Sequence, residues 1–179
     1  VSDPTPHIAA TLKALRQGRG WSLTRCAQAT GVSKAMLGQI ERGESSPTVA
    51  TLWKIAGGFG VSLSAFLVGE SPPATSAPPP LRDSVGMQVS VLVPFDAQLG
   101  LEMFAVELAP GACSESSAHG SGVVEHVIVV DGVMAVAEAG RWRHLAAGDV
   151  ARLQADRPHG YRNDGERVAR FHNLVHYPR

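Results

Sequence analysis

Residues 31–48 read GVSKAMLGQIERGESSPT. As a helix, the run sets Leu37 and Ile40 on one side, closed by Val32, and leaves Ser33, Lys34, Ala35 and Gln39 on the other. The first face has to be buried, and the second is left to meet something else. Upstream, Ser22 is placed to cap a helix running LTRCAQAT, and Gly31 supplies the left-handed residue that ends it. Ser33 caps the next helix, KAMLGQIER. The spacing predicts two short helices joined by a turn of about three or four residues.

Working outward, Ile8, Leu12 and Leu15 recur at helical spacing, as do Leu23 with Ala27, and Val49 with Leu52, Trp53 and Ala56. Leu63, Phe66 and Leu67 close a fifth short helix before Gly69. Next comes SPPATSAPPP, residues 71–80, whose five prolines oppose helix and sheet alike and favour an extended spacer. Beyond it the apolar residues crowd into short Val-rich runs: MQVSVLVPF, LEMFAVELAPG, VVEHVIVVDG, VMAVAEAG and RVARFHNLVHYP. Turn dipeptides such as Pro-Gly, Asp-Gly and Ala-Gly separate them. The pattern predicts an α + β chain of two domains: helices over 1–70, a Pro-rich linker over 71–84, and an all-β unit over 85–179.

The net charge of zero conceals an asymmetry. Residues 1–70 carry seven Lys/Arg against four Asp/Glu, whereas residues 71–179 carry nine against twelve. A mildly basic helical half favours an anionic partner. No apolar run is long enough to span a bilayer, and the first residues lack the layout of a signal peptide. No membrane association and a cytoplasmic location are expected. Cys26 and Cys113 stand far apart in no metal-like spacing and are expected as buried, reduced thiols.

WSLTRCAQATGVSKAMLGQIERGESSPTVATLWKIA, with its Ser-x-x-x-Leu, Gln-Ile-Glu-Arg-Gly and Pro-Thr elements, closely resembles the five-helix domain of the Cro/C1-type (Xre) helix-turn-helix regulators. The resemblance covers about residues 8–68, with the motif at about 23–42. It implies that the second helix enters the major groove of a double-stranded DNA operator. Of the outward residues, Lys34 suits guanine, Gln39 suits adenine, Ala35 offers a surface to a thymine methyl, and Ser33 lies beside them. Arg42, Ser45 and Thr24 suit phosphate contact.

GACSESSAHGSGVVEHVIVVDG (111–132) and GDVARLQADRPHGYRN (148–163) resemble the two signature motifs of the cupins, implying a double-stranded β-helix barrel. His119, Glu125 and Gly132 fall on the first motif, and Gly148, His159 and Asn163 on the second. Ser121 stands where the second motif histidine belongs, and Gln154 and Asp156 replace the second motif's Pro and Gly. His119, Glu125 and His159 could still offer two imidazoles and a carboxylate to one divalent transition metal, zinc first among them. The alternative is a pocket without metal, in which the histidines make ordinary hydrogen bonds. Ser121, Tyr161 and Phe104 are the candidate pocket residues. His126 is expected on the opposite strand face from Glu125. Trp53 is expected in the helical core.

The combination resembles the Xre–cupin regulators, which implies a homodimeric, non-enzymatic transcription regulator of bacterial origin. Its operator affinity would respond to a small polar metabolite in the barrel, such as an amino acid, amine or sulfur compound. Two other readings stay open: a barrel that only dimerises, and a DNA-tethered cupin enzyme.

Overall fold

The computed structural model describes residues 3–68 and 78–178. Side-chain caps set the starts of three helices. In α2 (Leu23–Thr30) the Ser22 hydroxyl accepts from the Arg25 N–H; in α3 (Lys34–Glu41) Ser33 accepts from Met36. Thr48 does the same for Thr51 at the start of α4 (Val49–Phe59). Each cap satisfies a donor that the first helical turn leaves without a partner. Gly31 ends α2 at φ 68°, which is why the chain can turn sharply into α3. With α1 (Thr5–Gly18), these helices bury Ile8, Leu12, Cys26, Leu37, Ile40, Leu52, Ile55 and Phe59.

The expected fifth helix is instead a single 3-10 turn, Leu63–Phe66, so the described residues hold four α-helices. The segment is too short for a ladder of α-type bonds, and its Ser62 side chain makes no cap. The carboxylate of Glu102, on strand β3 (Leu101–Leu108), takes that role. It accepts from the N–H groups of Leu63 at 3.1 Å and Ser64 at 2.9 Å, and also from the Tyr177 hydroxyl. Glu102 is fully buried, so a strand residue of the second half completes a helical turn of the first.

The remaining strands are β1 (Leu81–Arg82), β2 (Met87–Asp96), β4 (Cys113–Ser116), β5 (Val124–Asp131), β6 (Val133–Glu138), β7 (Arg141–Ala146), β8 (Val150–Gln154), β9 (His159–Arg162) and β10 (Ala169–His176). They form two antiparallel sheets, ordered β1-β2-β3-β10-β5-β8 and β4-β9-β6-β7. This is the cupin architecture as two facing sheets rather than the closed barrel expected, because the strands at the ends of each order pair on one side only. Along β3 burial alternates strictly, with Glu102, Phe104, Val106 and Leu108 inward.

One boundary shifts. Leu81 and Arg82, expected in the linker, pair with Val89 and Gln88 of β2, because Leu81 has a fully buried place in the sheet core. Half of the expected linker, residues 71–77, lies outside the described residues. Cys113, expected buried, is exposed because its strand alternates the other way, with Ser114 and Ser116 inward.

Candidate functional site

Two sites follow from this fold, one on α3 and one between the sheets. On α3, Leu37 and Ile40 are buried, which leaves Ser33, Lys34, Ala35, Met36 and Gln39 exposed as one continuous face. Thr24 is exposed at the first turn of α2, Arg42 is exposed just past α3, and Ser45 is half-buried. Arg42 forks onto Glu44 with both contacts at 2.7 Å, so an incoming phosphate has to compete with a neighbouring carboxylate. Arg16 of α1 clamps the inner end of α3. It donates to Glu41 at 2.9 Å and to the Trp21 carbonyl at 2.9 Å. Sequence reasoning missed that clamp, because Arg16 and Glu41 lie far apart in the chain. It also missed Met36, whose signal was its place three residues before Gln39 on the same face.

The second site draws His119 from the loop between β4 and β5, Glu125 from β5 and His159 from β9. Their ligand-type atoms lie within 4.8 Å of one another. Glu125 is fully buried. Its Oε2 accepts from the Tyr161 hydroxyl and from Asn173 Nδ2 at 3.0 Å, while Oε1 faces His119 Nε2 at 3.1 Å and His159 Nε2 at 3.6 Å. One carboxylate oxygen is thus anchored by neutral donors and the other is turned to the imidazoles. Burial alone would push the Glu125 carboxyl up. The hydrogen bond with His119 and the nearby charges of both histidines outweigh it and hold the group well below the usual carboxylate range. Burial and Glu125 together push the Tyr161 hydroxyl up, so it stays protonated and donating.

The donor set fits a divalent transition metal. His159 Nδ1 donates to the Arg157 carbonyl at 2.8 Å, which leaves the lone pair of the neutral ring on Nε2. That Nε2 is buried without a hydrogen-bond partner. Two imidazoles, a carboxylate and an outer carbonyl holding the ring match the donor chemistry of a three-ligand site, where a bound ion would supply an open coordination position. Burial pulls the His159 pKa down, but Glu125 outweighs it and leaves the pKa raised. A proton therefore competes for Nε2 over a wider pH range than at a free imidazole. Calorimetric titration should show zinc affinity falling as pH drops from about 8 to about 6, with proton release on binding. An affinity that stays level would remove His159 from the ligand set.

The other candidate residues divide. Tyr161 and Phe104 are buried beside the centre, with Tyr161 stacked on Phe171 at 5.3 Å. Ser121 is exposed in a turn and lines none of the described cavities near Glu125, because the chain reverses at Gly122, φ 76°, before entering β5. Tyr161 and Asn173 instead fill the remaining sides of Glu125, and Asn173 escaped notice for want of any motif. The space expected for a metabolite between the sheets is only about 20 Å³, enough for about one water. Phe104, Phe171 and Tyr161 fill it, and Val49, Trp53 and Leu63 of the helical half close it. Trp53, expected in the helical core, stands half-buried at this junction. Its ring stacks on His119 at 4.1 Å and 21° and meets Phe104 edge-on at 6.4 Å. His126 lies across the strand from Glu125, as the alternation predicts, and is half-buried.

Comparison with known proteins agrees with both halves. The helix-turn-helix family HTH_3 matches residues 12–66, and the cupin domain family Cupin_2 matches residues 104–177. The HTH-type transcriptional regulator SutR of Escherichia coli is 54% identical over 174 residues, covering 96% of each chain. The crystal structure of an HTH_3 family transcriptional regulator from Vibrio cholerae superposes with a TM-score of 0.84 at 45% identity, covering 98% of this chain and 97% of that one. The Cupin_2 domain of an XRE family transcriptional regulator from Enterobacter cloacae gives a TM-score of 0.52 at 45% identity, covering 52% of this chain and 99% of that one.

Proposed function

The chain belongs to the HTH-type transcriptional regulators that join an HTH_3 domain to a Cupin_2 domain, and from that premise we propose a ligand-modulated, sequence-specific regulator. α3 reads bases through Lys34, Ala35 and Gln39, with Ser33 beside them, and Thr24, Arg42 and Ser45 anchor phosphates. The chain works as a homodimer on a two-fold operator, since one such helix reads only a few base pairs. The division into 1–70, the linker 71–84 and 85–179 is kept as a functional one, except that sheet pairing starts at Leu81. A small polar metabolite acts at the cupin half, with one divalent metal, zinc first, on His119, Glu125 and His159. No catalytic turnover is proposed.

One observation carries the modulation: Trp53 of the DNA-binding half stacks directly on His119 of the candidate centre. Any ligand that repositions His119 has a side chain of α4 as its immediate neighbour. The 54% identity to a transcriptional regulator supports regulation over a DNA-tethered enzyme.

The operator side is tested by selecting a binding sequence from a random DNA pool and measuring variants on it. Gln39→Ala or Lys34→Ala should cost about 1–3 kcal/mol and relax preference at particular base pairs. Arg42→Ala should weaken all sequences alike and make the salt slope shallower by roughly one unit. Light scattering of the complex should count two chains per site. Equal losses on every sequence from both kinds of variant would reject this face as the reader.

A further inference from the structure

Where the helical half meets the sheets there is a cleft of about 280 Å³, walled by Trp53, Lys54 and Gly57 of α4, Thr30 of α2 and His119. It shares Gly57, Val61, Gly120 and Tyr177 with an adjoining groove of about 580 Å³ that Phe95 and Val123 help to line. Together they reach the size of ordinary small-molecule sites, roughly 300–1,000 Å³, which the 20 Å³ between the sheets does not. The charge in this space is one-sided. Lys54 lines it, no Asp or Glu does, and Lys54 makes no ion pair among the described residues.

The adjacent glycines of α4 point the same way. A side chain at Gly58 would strike the Ala29 carbonyl and Thr30 at 2.7 Å, so close α2–α4 packing requires that glycine. A Cβ at Gly57 would meet nothing within 4 Å. Glycine weakens a helix, and no packing contact asks for one at position 57. Its effect is to keep the cleft open.

We propose that this junction cleft binds a small organic anion with an apolar body, its carboxylate at Lys54 and its body along the Val61–Phe95–Val123 groove. Such a ligand touches both halves at once. The site rests on the reading of the chain as a ligand-modulated regulator, and moves the ligand from the space between the sheets to their junction with the helices.

The probe is hexanoate, titrated calorimetrically into the full chain, with hexylamine as its charge-reversed match. Hexanoate should bind saturably and hexylamine should not. Lys54→Gln should weaken binding about tenfold or more, the loss of one charged hydrogen bond. Gly57→Leu should abolish binding while the melting temperature holds or rises, which separates a blocked cleft from a damaged fold. Absence of hexanoate binding, equal binding of hexylamine, or undiminished binding in Gly57→Leu each overturns the proposal. Operator affinity is measured in parallel. Hexanoate binding that obeys the two variants but leaves operator affinity unchanged keeps the cleft and rejects the sensing role. An operator response to hexanoate that survives Gly57→Leu keeps sensing and rejects the cleft.

Discussion

Glu125→Leu is expected to lower the unfolding free energy by about 3–5 kcal/mol, the cost of removing one partner from a buried charged network. The side chain is fully buried and serves His119, Tyr161 and Asn173 as acceptor, with His159 Nε2 alongside at 3.6 Å. Leucine fills comparable space but accepts nothing, so these donors are left desolvated without a partner. For a chain of this size the loss corresponds to a drop in melting temperature of about 6–20 °C by calorimetry. Replacing two of the partners with it, as Glu125→Leu with His159→Leu and Tyr161→Phe, should recover part of it, because only the His119 and Asn173 donors are then left without an acceptor. A fall below about 2 °C for the single variant would mean that water already satisfies these groups and the centre is not the closed network described.

The same network sets a pH window for the metal-free chain. The folded-state pKa of Glu125 lies below its ordinary value of 4.5, so its contribution is whole above that value and is lost as pH falls further. The pKa of His159 is raised, so its contribution is whole below the ordinary histidine value and is lost as pH rises through the raised one. The difference in melting temperature between wild type and Glu125→Leu should therefore be widest in mildly acid solution and narrow on both sides.

Much of this was legible from residues because local rules wrote it. Ser22, Ser33 and Thr48 announce helix starts, Gly31 announces a stop, and the apolar stripe around Leu37 and Ile40 says which side of α3 is free. His119, Glu125 and His159 were legible because they stand at motif spacing. The strands β4 and β9 escaped the apolar pattern because their sequences, CSES and HGYR, bury Ser114, Ser116, His159 and Gly160, and β7, RWRHLA, escaped it because it buries Leu145 alone. No local rule could show that the halves interlock. Glu102 capping the Leu63–Phe66 turn and Trp53 stacking on His119 join residues 38, 39 and 66 positions apart, and each residue type has an ordinary role within its own half. The occupied space between the sheets follows from the same contact, since Val49, Trp53 and Leu63 come from the helical half.

That contact yields the second large effect. If ligation at His119 shifts the docked position of α4, zinc should change operator affinity of the wild-type chain about 5- to 150-fold, the span of a coupling free energy of about 1–3 kcal/mol. Trp53→Ala should cut the response to below about twofold and leave basal operator binding in place. The core that holds α3, from Leu37 and Ile40 to Leu52 and Ile55, is built without that ring, and Trp53 is itself only half-buried. Trp53→Phe keeps a ring to stack on His119 and should keep most of the response. His159→Ala should also abolish it, but by removing the ion, so calorimetry would find zinc binding lost in that variant and retained in Trp53→Ala. The double variant should then respond as His159→Ala alone does, as expected for two steps of one path. A ligand can shift this equilibrium only by binding the DNA-competent and incompetent arrangements unequally, and the stack on His119 is a place where the two can differ. A folded Trp53→Ala chain that binds zinc and still shows the full operator response would take the coupling away from α4 and assign it to the dimer or to the Pro-rich segment.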